Sequence, residues 1–139
     1  MKALITGASS GIGLEMARIL SREGFELILV AREKEKLQKV QEELGKNVKI
    51  VVADLSNESK LKELYVLCKN DKIDVLINNA GFGDCGKFTE TDLSKELEMI
   101  DVNIKAVHVL TKLFLKDMKK RNSGYILNVA SMAAFAPGP

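Results

Sequence analysis

Thr6-Gly7-Ala8-Ser9-Ser10-Gly11-Ile12-Gly13 follows directly on the apolar run Ala3-Leu4-Ile5. The order reads as a strand, a glycine-rich turn and a helix start. Main-chain amides with no side chains in front of them, set at the positive end of a helix dipole, make a site for a pyrophosphate. A dinucleotide is therefore the first ligand this stretch suggests. Its glycines divide the work: Gly7 can take turn dihedrals closed to other residues, Gly11 admits a phosphate, and Gly13 lets the helix pack tightly on the strand. Ser9, Ser10 and Ile12 complete the turn as candidate cofactor contacts. An ordinary tight turn is the competing reading, and the flanking strand and helix pattern disfavours it.

Outward from this turn, residues 12–23 carry Ile12, Met16, Ile19 and Leu20 at helical spacing, with Glu15, Arg18 and Arg22 on the other side. Gly24 stops that helix. Leu27-Ile28-Leu29-Val30 is apolar on both faces, as a buried parallel strand requires. A charged helix over 33–44 ends at Gly45, a third strand runs from Val48 to Ala53, a third helix from Glu58 to Lys69, and a fourth strand from Ile73 to Ile77. A long helix from Asp92 to near Arg121 and a fifth strand from Tyr125 to Ala130 complete the pattern. This alternation predicts an α/β fold of parallel βαβ units in a single domain over residues 1–139. Pro137 and Pro139 are the only prolines, so none interrupts a predicted element.

Composition excludes several classes. The 21 Lys and Arg residues against 19 Asp and Glu leave a net charge of +2, with the lysines scattered among glutamates rather than gathered in a basic stripe. No nucleic-acid partner is indicated. The apolar runs are far too short for a membrane span or a signal core, so a cytoplasmic location is the default expectation. Cys68 and Cys85 have no metal-ligand spacing and read as free thiols. No metal site is expected.

In an open parallel sheet, ligands bind beyond the carboxyl ends of the strands, where the winding reverses. After the second strand stands Arg32, where an acidic residue would accept from the ribose hydroxyls of NAD and repel the 2′-phosphate of NADP. The guanidinium offers the opposite sign and a planar fork, which predicts NADP(H), with Ser9 or Ser10 as hydroxyl partners. Its alternative is a solvated residue at a helix start beside Glu33. After the third strand, Asp54 can accept from an adenine amino group while the Leu55 amide donates to the ring; Asp54 can equally cap a turn or the next helix. After the fourth strand, Asn79, Ala80 and Gly81 let a ribose lie close to the backbone, and a simple loop would look the same.

Taken together, Thr-Gly-x-x-x-Gly-x-Gly at 6–13, Asn-Asn-Ala-Gly at 78–81, Asn103 in the long helix and Asn128-Val129-Ala130-Ser131 at the fifth strand closely resemble the short-chain dehydrogenase/reductase family. The likeness covers the whole chain. It implies a Rossmann-type doubly wound sheet in the order 3-2-1-4-5 and hydride transfer between a nicotinamide and a small carbonyl compound or secondary alcohol. It also implies that Ser131 hydrogen-bonds the substrate oxygen and that Asn103 holds a water in a proton relay. The family's long helix, here with Ile100, Ile104, Val107, Leu110, Leu113 and Phe114, implies a homodimer or homotetramer for the full-length protein.

Members of the family complete their site with a Tyr-x-x-x-Lys pair on the helix after the serine, where tyrosine moves the proton on oxygen. No such pair follows Ser131 in this sequence. Tyr65 and Lys69 have the spacing but lie upstream, where an i, i+4 pair is common on any helix. The expectation is therefore an amino-terminal part of a reductase of roughly 230 to 280 residues, truncated after the fifth strand. Without the proton donor it should lose a factor of at least about 10² to 10⁴ in rate. A binding or scaffold module that has dispensed with catalysis is the alternative. His108 and Cys85 are assigned no chemistry, although Cys85 sits in a loop near the expected substrate mouth.

Overall fold

Alternate side chains of β1 (Lys2–Thr6) enter two different cores: Ala3 and Ile5 join one and Leu4 the other. This is what a strand buried on both faces requires, and it explains the unbroken apolar run. The computed structural model describes residues 1–135, so Pro137 and Pro139 lie outside the described residues. β1 is the middle of a five-stranded sheet with β2 (Glu26–Ala31), β3 (Val48–Val52), β4 (Val75–Asn78) and β5 (Tyr125–Asn128), in the order β3-β2-β1-β4-β5. Every neighbouring pair is parallel. The predicted Rossmann-type winding is therefore the observed one, and its reversal lies between β1 and β4.

Helices cover both faces. On one side α1 (Gly11–Arg22) and α2 (Lys34–Leu44) bury Ala17, Leu37 and Val40 against Ala3, Ile5, Leu27 and Leu29. On the other, α3 (Glu58–Cys68) and α5 (Val107–Arg121) bury Leu61, Leu64, Leu110, Phe114 and Met118 against Leu4, Ile28 and Val30. Tyr65 belongs to this packing: its hydroxyl donates to Asp117 Oδ2 at 2.7 Å and its ring meets Phe114 edge-on. That bond holds the phenol above its ordinary pKa and spends the side chain on joining α3 to α5.

Three sequence expectations are adjusted. The apolar row read at helical spacing in α1 is not its buried face throughout: Ile12 and Ile19 are 61% and 50% exposed, while Gly13 and Ala17 are buried. Small residues face the sheet because the helix must approach β1 closely, and Leu14, Met16 and Leu20 pack along its margins. The long helix is not uniform: α4 (Leu93–Ile100) passes through a π-helical segment, Asp101–Ala106, into α5. β5 ends at Asn128 rather than Ala130. Its partner β4 leaves the sheet at Asn79, which turns toward β1, and one last bond from Val129 N–H to the Asn78 carbonyl closes the ladder.

Candidate active site

A cleft of about 1040 Å³ opens beyond the carboxyl ends of the strands, at the winding reversal. Gly7, Ser9, Ser10, Gly11 and Ile12 form its floor at the start of α1. Gly7 and Gly11 have φ of +67° and +55°, the left-handed backbone that glycine adopts without strain. Ser10 is the N-cap of α1, yet its side chain makes no capping bond, and no acidic residue lies in the first turn. The positive end of α1 is thus left open toward the cleft, a favourable setting for an anion. Gly13 stands behind the wall, where a Cβ would come within 2.5 Å of Asn79 Nδ2 and closer still to the Gly7 carbonyl oxygen. It permits the close crossing that shapes the turn.

Thr6 ties the two halves of the floor together. Its hydroxyl accepts from the main-chain N–H groups of Asn79 and Ala80, each at 3.0 Å, and lies 3.3 Å from the Ile77 carbonyl, to which it donates. Asn79 Nδ2 donates to the carbonyls of Thr6 and Gly7. Asn79, Ala80 and Gly81 all line the cleft, but the Asn79 amide donor is committed to β1. Beneath them, buried Asn78 donates from Nδ2 to Thr111 Oγ1 at 3.0 Å and to Asn128 Oδ1 at 2.8 Å.

At the other end of the cleft lie Arg32, Asp54 and Leu55. Asp54 Oδ1 accepts from both the main-chain N–H and the hydroxyl of Ser56, which holds its carboxyl below the ordinary carboxylate range. The turn-capping and ligand-binding readings of Asp54 are compatible, because capping uses one oxygen and leaves Oδ2. The Leu55 side chain is buried in the core, so it presents only its main chain. Arg32 does not stand free: Nη1 donates to Glu98 Oε1 of α4 at 2.8 Å.

Asn103 and Ser131 also line the cleft. Asn103 lies in the π segment, a feature that frequently marks functional positions. Its side-chain amide grips Phe82 twice, accepting from the main-chain N–H at 3.1 Å and donating to the carbonyl at 2.8 Å. Ser131 is exposed, and its hydroxyl accepts from Ala133 N–H at 3.1 Å at the head of a short 3₁₀ turn, Met132–Phe135. Cys85 is exposed on an adjoining pocket of about 340 Å³, while Cys68, the last residue of α3, is buried in the core, where burial pushes its thiol up to about 11. Tyr65 and His108 are absent from the cleft wall. Among the described residues no cluster of His, Cys, Asp and Glu could hold a metal, and no helix is long and apolar enough to cross a membrane.

Sequence reasoning quoted Thr6, Asn78 and Asn128 within its motifs but gave them no role, and it missed Thr111 and Glu98. The first three carried a signal, a polar residue ending each of three neighbouring strands: Thr6 and Asn78 on the buried β1 and β4, and Asn128 on the more exposed edge strand β5. Glu98 carried none, being one charge among many on a helix surface.

A parallel sheet wound in this order, with a glycine turn under a cleft at the switch point, defines a Rossmann-type α/β domain. The short chain dehydrogenase family model matches residues 1–139, and the chain belongs to that family. It is 35% identical over 137 residues to an uncharacterised oxidoreductase of Staphylococcus epidermidis and 37% identical over 136 residues to one of Staphylococcus aureus, covering 97% and 96% of this chain. It spans only 60% and 59% of those relatives' lengths. Among solved structures, a short-chain dehydrogenase from Sphingobium yanoikuyae in complex with NADPH superimposes with a TM-score of 0.90 at 34% identity, over 98% of this chain and 56% of that one. The closed form of a serine dehydrogenase complexed with NADP+ gives 0.92 at 32%, over 99% and 56%.

Proposed function

We propose that the protein carrying this chain is a cytoplasmic NADP(H)-dependent oxidoreductase of the short-chain type, acting on a small carbonyl compound or secondary alcohol, with residues 1–139 as its cofactor-binding part. The observation that carries the reading is the open, uncapped start of α1 on the cleft floor, reached through two glycines in left-handed backbone. A diphosphate fits there because Gly11 has open space where a Cβ would stand. The two NADP(H)-bound neighbours support the same ligand class.

In this reading the amides from Ser9 to Ile12 and the Ser9 and Ser10 hydroxyls hold the diphosphate end, with Gly13 packed behind them. Asp54 Oδ2 accepts from the adenine amino group and the Leu55 amide donates to the ring. The main chain of Asn79, Ala80 and Gly81 supports a ribose, and Arg32 meets the 2′-phosphate. The bound nicotinamide supplies or receives hydride, while Ser131 donates a hydrogen bond to the substrate oxygen. Asn103 holds a water of the proton relay through the second Nδ2 hydrogen or Oδ1 lone pair that its two bonds to Phe82 leave free. The 139 residues alone turn over little substrate, because no Tyr-x-x-x-Lys follows Ser131.

The test is a fluorescence titration with NADPH and NADH. Tighter NADPH binding that R32A abolishes supports the assignment, whereas equal affinity or tighter NADH defeats it. We further propose that a second copy of the protein covers the apolar stripe Leu97, Ile100 and Ile104, which is exposed on the outer side of α4 and the π segment.

A further inference from the structure

Arg32 is the only cation on the cleft wall among the described residues, and it shares that wall with Glu33, Asp54 and Asp84. Its charge is not freely available. Arg32 sits just past β2, Glu98 sits on α4 beyond β4, and their ion pair bridges 66 residues of sequence at 2.8 Å. Met99, the residue after Glu98, lines the same cleft as Arg32, so the pair ties the end of β2 to α4 beside that cleft. Both partners reach water, with side chains 61% and 39% exposed.

We infer that Glu98 is a selectivity-tuning residue, acting through Arg32 to weaken the binding of a 2′-phosphorylated dinucleotide while leaving its unphosphorylated counterpart untouched. The inference rests on the cofactor reading above. A phosphate with two or more oxygens facing the guanidinium makes a stronger, bidentate contact than one carboxylate oxygen does. It therefore displaces Glu98, but it must first break that pair and then tolerate the released carboxylate nearby. An exposed pair is cheap to open. NAD(H) has no 2′-phosphate and leaves the pair intact. Glu98 thus narrows the NADP(H) preference that Arg32 creates, and it does so from outside the cleft wall.

The test compares NADPH and NADH affinities of the native gene product, E98Q, R32A and the double variant, with 2′,5′-ADP and 5′-AMP as fragment probes. E98Q should bind NADPH and 2′,5′-ADP about two- to fivefold tighter, the range an exposed ion pair commands, and leave NADH and 5′-AMP unchanged. That gain should shrink in high salt and fall away in the R32A background. A wild type that favours NADPH and an E98Q variant with the same NADPH-to-NADH ratio overturns the role of Glu98 and leaves the cofactor reading standing. A wild type indifferent to the phosphate whose E98Q variant acquires a preference for NADPH overturns the cofactor reading for the native protein and supports Glu98. Indifference in both proteins overturns both.

Discussion

Thr6 and Asn79, 73 residues apart, hold each other twice: Asn79 N–H donates to Thr6 Oγ1 at 3.0 Å and Asn79 Nδ2 donates to the Thr6 carbonyl at 2.9 Å. The loop after β4 is thereby drawn over the end of β1, and the cleft floor becomes one surface. Thr6 is only 2% exposed, so water cannot replace its hydroxyl. The substitution T6V keeps the shape and leaves the Asn79 and Ala80 amides without their acceptor. It should lower unfolding free energy by about 2 to 3 kcal/mol, while T6S stays within about 1 kcal/mol of the parent. Urea denaturation measures both.

The glycines of the turn should separate into a packing pair and a ligand site. At Gly13 a methyl group meets the Gly7 backbone and Asn79, and at Gly7 it comes within 2.8 Å of Ala80 Cα. G13A should cost about 1 to 3 kcal/mol by overpacking. At Gly11 nothing lies within 4 Å, so G11A carries only the left-handed strain of about 1 kcal/mol. Its methyl instead occupies space facing the cleft. Thermal melts should show G13A as the less stable protein, and dinucleotide titration should show G11A losing about tenfold or more in affinity, since each tenfold is about 1.4 kcal/mol of lost contact.

The two thiols should behave oppositely. Exposed Cys85 should react with a maleimide at pH 8, and buried Cys68 only after unfolding, as mass spectrometry of the labelled peptides would show. Because burial holds the Cys68 proton up to about 11, the native state keeps that proton over a range where the unfolded chain, with a pKa of about 8.5, gives it up. Stability should therefore fall as pH rises between those values, by at most about 1.4 kcal/mol per unit. C68A should flatten that slope.

The exposed stripe on α4 and the π segment makes a separate prediction. I104K puts a charge at its most exposed residue without touching the cleft, since Ile104 is not on the wall. If a second copy covers the stripe, the variant should elute as a smaller species in size-exclusion chromatography and retain dinucleotide binding. An unchanged elution volume would assign the stripe elsewhere.

How far these features were legible depends on how local their causes are. Strands, helices and the glycine turn were read nearly in place, because a two-residue or 3.6-residue period and a required positive φ belong to a few neighbouring residues. In α1 periodicity identified the helix and not which side it buries: Ile12 and Ile19 of the apolar row are exposed. The π segment in the long helix left no mark in the apolar pattern. For Asp54 the turn-cap and ligand readings looked exclusive in sequence, and the structure shows one oxygen serving the turn.

Sequence alone determined the parallel α/β class, the position of the turn and the residues that follow each strand, since all of these follow from local propensity and spacing. Tertiary structure decided what those residues can offer. The crossover that sets β4 beside β1 creates the bonds of Thr6 to Asn79, and the placement of α4 across from β2 gives Arg32 its partner Glu98. Contacts between residues 66 or 73 positions apart exist only once the sheet is wound, because loop closure over such lengths is repaid by the whole core and not by the pair itself.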